Sequence, residues 1–101
     1  MTDLTTVLRN FLGREGEGKL TAFPAKRKMK LYALYYLAEK ITPSRDYTER
    51  EINELLNRWH SFRDPATLRR ELYDYHFLNR SPDGKTYRLT ENPPDPEMLG
   101  L

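Results

Sequence analysis

A mainly α-helical α+β fold, in which three helices share one core and a β-hairpin closes it, is the class predicted by this 101-residue sequence. Three observations predict it. From Leu31 to Ala38 the chain is apolar on nearly every side of a helix, the mark of a central buried helix. Farther on, Thr48 with Glu51 and Asp64 with Pro65 punctuate two successive helix starts. Last, Phe77–Arg80 and Thr86–Leu89 flank Asp83-Gly84, and Asp-Gly between apolar-rich runs is a hairpin signal. The resulting order of helix, short extended Tyr47, helix, helix and hairpin is that of a winged helix-turn-helix, with an additional N-terminal helix ahead of it.

Residues 1–24 are expected to form a helix and loop packing on the domain. Leu4, Val7, Leu8, Phe11 and Leu12 recur at i, i+3, i+4, i+7 and i+8, an amphipathic stripe that Thr2 or Asp3 can cap and Gly13 can end. Arg14 to Gly18 alternates charge with glycine and reads as a mobile loop. Lys19 to Phe23 reads as a short extended piece stopped by Pro24.

Residues 25–90 are the winged-helix domain. Its first helix runs from about Ala25 to Ile41. Lys26, Arg27, Lys28 and Lys30 crowd the N-terminal end, where the helix dipole prefers anions. That conflict calls for nearby acidic side chains or for an external anion. Thr42-Pro43-Ser44 breaks the chain. Thr48 and Glu51 then form a capping box with Tyr47 and Ile52 at the staple positions, and Ile52, Leu55, Leu56 and Trp59 make the buried stripe. After Asp64-Pro65, Leu68, Leu72 and Tyr75 take the core face of the next helix. At about 100° per residue Arg70 points away from that face, flanked by Ala66, Tyr73 and Asp74, with Thr67 farther round and Arg69 at the edge beside Tyr73. Residues 91–101, with Asn92-Pro93-Pro94-Asp95-Pro96, cannot continue a sheet. They read as a Pro-rich extended or disordered tail whose Met98, Leu99 and Leu101 are free to dock on a partner or on the domain.

Composition excludes whole classes of chemistry. There is no Cys, hence no disulfide, thiolate nucleophile or Cys-based zinc site. His60 and Asp64 straddle a helix end and His76 is distant, whereas a metal site normally needs at least three ligands at supporting spacing. His60 therefore reads as a packing or capping residue. Without a glycine-rich phosphate loop, a Ser/His/Asp set or an inward carboxylate pair, the expectation is no enzyme, no metal and no cofactor. The longest apolar run is too short to cross a bilayer, and Met1-Thr2-Asp3-Leu4 is no signal-peptide start, so a soluble cytoplasmic domain with no membrane partner is expected.

The net charge of +2 hides a cancellation. Residues 25–45 hold six basic groups against Glu39 alone, and residues 77–90 add Arg80, Lys85 and Arg88 against Asp83. Residues 46–76 carry five basic and seven acidic groups, and the tail only acidic ones. This pattern yields two readings of function. In the first, a DNA-binding transcriptional regulator lays the recognition helix, residues 65–75, in the major groove of double-stranded DNA, exposing Ala66, Thr67, Arg69, Arg70 and Tyr73. Lys26, Arg27, Lys28 and Lys30, with Arg80, Lys85 and Arg88 of the wing at residues 77–89, then lie near phosphates, which position without specifying sequence. The bland counterpart is a solvated basic helix start, with one of Arg69 and Arg70 paired to Asp74 or Glu71 and the other in water. In the second reading, Asp46, Glu49, Glu51 and Glu54 give an acidic face suited to a protein. The fold is then an interaction or accessory dimerisation module, working through Tyr73, Trp59 or the helix of residues 1–12, and a homodimer is among its forms. Shared placement of Lys26 to Lys30, Arg70 and Lys85 favours DNA; Glu49, Glu51 and Glu54 on the same face favours protein.

Several stretches in order also resemble a known family. Gly18-Lys19-Leu20-Thr21-Ala22-Phe23-Pro24-Ala25-Lys26-Arg27-Lys28, Tyr47 to Glu54, Trp59-His60, Asp64 to Asp74, Phe77 to Arg80 and Asp83 to Tyr87 resemble the bacterial domain of unknown function 2087, over roughly residues 11–89. The resemblance implies a winged-helix-like fold, often attached to a helix-turn-helix of the arsenic-repressor type in bacterial transcription regulators, and so regulation or nucleic-acid contact. The family has no assigned biochemical activity. This chain shows no upstream DNA-binding domain, from which dependence on another protein is an expectation.

Overall fold

The computed structural model describes residues 3–13 and 18–101, which form an α+β fold of four helices and a three-stranded antiparallel sheet. Helix α1 (Leu4–Val7) starts at Asp3, whose carboxylate accepts from the Thr5 amide at 3.1 Å. The single helix expected as far as Leu12 is split, because the chain leaves helical geometry at Leu8 and tightens into a 3-10 turn over Arg9–Phe11. Leu4 and Leu8 remain buried. Leu12 is instead drawn into an antiparallel bridge with Leu20, and Leu20 pairs on its other side with His60. The extended piece expected around Lys19 to Phe23 thus has its centre at Leu20. The Arg14 to Gly18 loop lies outside the described residues except for Gly18. There the carbonyl accepts from the Tyr36 hydroxyl at 2.6 Å, and φ is +70°, so a Cβ would stand 2.7 Å from that oxygen.

Helix α2 (Arg27–Ala38) buries seven successive residues, Leu31 to Leu37, as an all-round apolar helix must. It begins later than about Ala25 because Lys26, its N-cap, still has extended backbone, with φ −73° and ψ 136°. It ends earlier because Lys40 and Ile41 donate to Leu37 and Ala38, three residues back, in a tightened last turn. Strand β1 (Tyr47–Thr48) runs straight into α3 (Glu49–Asn57). The capping box is present in both directions: the Glu51 amide donates to the Thr48 hydroxyl at 3.1 Å, and the Thr48 amide to the Glu51 carboxylate at 2.9 Å. Tyr47 and Ile52, the staple pair, are both buried.

Helix α4 (Pro65–Asp74) has Asp64 as N-cap, accepting from the Thr67 amide at 3.2 Å, with proline at its first position. It rests Leu68 and Leu72 in the core. Strands β2 (Leu78–Arg80) and β3 (Thr86–Leu89) pair with Leu78 opposite Leu89 and Arg80 opposite Tyr87. Gly84 sits in the turn at φ +74°, where a Cβ would stand 2.6 Å from the Arg80 guanidinium. Sequence patterning placed Tyr47 in extended backbone; the structure adds that β1 completes the sheet, in the order β1-β3-β2, with Tyr47 opposite Tyr87. No helix among the described residues is long and apolar enough to cross a membrane.

The caps make a pH prediction. Hydrogen bonds from Thr67, with smaller help from the Arg70 charge, hold the Asp64 carboxyl below its ordinary value of 3.8, and bonds from Thr48 hold Glu51 below 4.5. A depressed folded-state pKa contributes stability that is complete above the unfolded value and is lost as pH falls through the folded one. The thermal midpoint is therefore expected to fall as pH drops below these ordinary values. Asp64→Asn keeps a good N-cap but cannot titrate, so its acid loss should be shallower than that of the parent in melts at pH 7 and pH 3. Equal acid slopes would remove Asp64 from the account.

Candidate nucleic-acid interface

The expected contact residues fall on three neighbouring elements: the start of α2, the outer side of α4, and the hairpin. At about 100° per residue, Glu71 lies on one flank of Arg70 and Arg69 on the other. Contacts bear this out. Lys30 of α2 reaches Glu71 at 3.7 Å, so the basic start of α2 borders α4 on the Glu71 side. On the opposite side Arg69 and Arg80 both approach the Tyr87 ring at 5.9 Å, so the hairpin borders α4 there. Ala66 and Arg70 are exposed between these borders, with Thr67 half-buried.

A cleft of about 340 Å³ opens between α4 and the hairpin, lined by Glu49, Arg69, Arg70, Tyr73, Asp74, Arg80 and Tyr87. Tyr73, 47% exposed, and Arg80 continue into an adjoining cleft with Asn79 and His76. The site thus brings Arg70, Tyr73 and Arg80 together. The neighbours Arg69 and Arg70 part company here. Arg69, with its side chain only 17% exposed, donates to Asn53 and pairs with Glu49 at 3.3 Å. Arg70 is exposed and makes no hydrogen bond or ion pair with the described residues.

The other cations sort in the same way. Arg88 bonds Asp46 at 2.8 Å, Lys30 has Glu71 and stands 5.7 Å from the Phe23 ring, and Arg27 donates to the Leu99 carbonyl at 3.0 Å. Lys26, Lys28 and Lys85 are exposed and form no ion pair among the described residues. Among the described residues, the conflict between basic residues and the α2 dipole is eased at Lys30 and Arg27. The carboxylates of α3 are also engaged: Glu49 with Arg69, Glu51 with Arg45 at 3.2 Å and Glu54 with Arg50 at 3.1 Å. Glu51 and Glu54 line a different cleft, with Lys40, Arg45, Arg58 and Trp59, on the opposite side of α3 from Glu49. Of the three acids weighed above, Glu49 alone reaches the α4 cleft.

The residues that sequence reasoning missed are Tyr87 as a wall of this cleft, Asn53 as partner of Arg69, and Asp46 as partner of Arg88. A period-2 reading of Thr86 to Leu89 could have flagged Tyr87 as inward. His60 is buried and bonds the Leu56 carbonyl and the Asp64 amide, the packing and capping role expected of it.

With this geometry the chain is a small α+β domain presenting one exposed helix between a basic helix start and a hairpin. It belongs to a family described as an uncharacterized protein conserved in bacteria, domain of unknown function 2087, whose model matches residues 19–89. No curated protein and no solved structure is detectably similar to the chain.

Proposed function

We propose that the chain is a winged helix-turn-helix that binds double-stranded DNA as a bacterial transcription regulator, with α4 in the major groove and the β2-β3 hairpin as the wing. The order of its elements supports this, with β1 pairing the second strand of the hairpin. The observation that carries the reading is the pairing of charge. Every carboxylate of α3 has an arginine, whereas Arg70, Lys26, Lys28 and Lys85, on α4 and its two borders, form no ion pair among the described residues. Unpaired cations flanking an exposed helix suit a polyanion that displaces counterions. Arg70 is the base-reading candidate, since guanidinium to guanine is the commonest specific contact in the groove. The Arg80 side chain, beside the cleft, and Lys85 at the hairpin turn take phosphates.

The test is a titration against random-sequence duplex at two salt concentrations. Affinity should fall steeply with salt, and Lys26→Gln with Lys28→Gln should reduce the log–log slope by about 1–2 units. A flat salt response would sink the phosphate role of α2. One observation favours a second reading: exposed Tyr73 shares its cleft with Glu49 and Asp74, a mix of aromatic and acidic groups that suits a protein surface. Absence of binding at low salt would transfer the cleft to that use.

A further inference from the structure

Residues 91–101 lie along the domain. The Thr90 amide bonds the Phe77 carbonyl at 3.0 Å, the last step of the β2-β3 ladder, and beyond it the chain reaches α2. The Tyr35 hydroxyl donates to the Pro94 carbonyl, and the Arg27 guanidinium to the Leu99 carbonyl at 3.0 Å. Arg27, Leu31 and Tyr35 stand at i, i+4 and i+8, so they share one side of α2, and the two contacts are about 12 Å apart along it. The segment therefore runs back along α2 from Tyr35 to its basic start. It closes a turn there, with the Leu101 amide on the Pro96 carbonyl at 2.9 Å, and packs Leu99 and Leu101 against the core. All its charges, Glu91, Asp95 and Glu97, are negative. Asp95 is near enough to Tyr35 that its charge, after burial, helps push that hydroxyl's pKa up.

We propose that residues 91–101 are an autoinhibitory strap: docked along α2, they hold the Arg27 guanidinium and lay an acidic segment along that helix, so that full engagement of DNA requires their release. This rests on the DNA-binding reading above. Among the four cations at the start of α2, Arg27 is the one the strap occupies, and Lys30 is held by α4. Release thus adds one phosphate-seeking group and removes a competing negative field.

The experiment compares the full chain with its Leu99→Ala, Leu101→Ala double variant, both checked for folding by circular dichroism, against a random duplex at two salt concentrations. The variant is expected to bind about three- to tenfold more tightly at low salt, with a slope steeper by about 1 unit, the signature of one more phosphate contact. Arg27→Gln should leave the parent's slope unchanged and cancel the steepening in the released background. Tyr35→Phe, which deletes only the hydroxyl that holds Pro94, should shift affinity the same way by less. Equal affinity and slope in all forms overturns the strap and leaves DNA binding standing. Absence of duplex binding by both parent and released forms overturns DNA binding, and the strap with it.

Discussion

Alanine at Arg69 is expected to lower the stability of the domain by about 2 kcal/mol, whereas alanine at Arg70, the next residue, should change it by less than about 0.5 kcal/mol. The difference follows from where each guanidinium lies. Arg69 crosses from α4 to α3, donates to Asn53, pairs with Glu49 and covers part of the Tyr87 ring, with most of its side chain out of water. Removing it deletes a charge-assisted bond, leaves Asn53 without its donor and strips an aliphatic stem from the α3-α4 seam. Arg69→Met restores the stem but not the bonds, so it should recover part of the loss and separate packing from hydrogen bonding. Arg70 makes no such contacts, and its loss should appear instead in binding, at about tenfold or more for a duplex, since a good bidentate base contact is worth about 1–3 kcal/mol. Denaturant unfolding and duplex titration on the same two variants give both readouts. If Arg70→Ala binds as the parent does while remaining folded, α4 does not read DNA through this residue.

The division between these two arginines was half legible. Helical periodicity aimed Arg70 outward and Arg69 at the edge beside Tyr73, and the structure keeps both placements. Pairing one of the two with Asp74 or Glu71, on the same helix, leaves open which; the paired one is Arg69, and its partners are elsewhere. Residues two apart do not face each other on a helix, and five apart is little better, so neighbours in sequence lose to Asn53 and Glu49 on the crossing helix. The same contrast runs through the fold. The Thr48–Glu51 box, the Asp64-Pro65 start and the Asp83-Gly84 turn are written within a few residues, and each stands close to where local chemistry put it. The pairings Leu12–Leu20–His60, Tyr47–Tyr87, Lys30–Glu71 and Arg27–Leu99 join distant parts of the chain, where only the docking of whole elements decides which groups meet. The cleft is made of such pairings. Its exposed residues could be named from the sequence, but not the anions that commit some of them and leave others open.

Alanine at His60 is expected to cost about 3 kcal/mol, with Asn and Gln each restoring part of it, and the reason is the tautomer the surroundings demand. The ring is 4% exposed. Its Nδ1 lies 2.7 Å from the Leu56 carbonyl, which can only accept, so this nitrogen carries the proton. The Asp64 amide, which can only donate, points at Nε2 from 2.9 Å, so that nitrogen offers its lone pair. One neutral imidazole thereby satisfies the end of α3 and the start of α4 together, while its backbone bridges to Leu20 and its ring meets Phe62 edge-on at 4.6 Å. Alanine opens a cavity and leaves the Asp64 amide without an acceptor at the point where α4 is aimed. Asn reaches as far as Nδ1 and can donate to Leu56; Gln reaches as far as Nε2 and can accept from Asp64. Neither does both, so each should fall between parent and alanine in denaturant unfolding. The two ends are read separately by hydrogen exchange: the Asp64 amide should lose protection in the alanine and asparagine variants and keep it in the glutamine one. Protection of that amide in all variants would mean that the turn holds α4 in place without the ring.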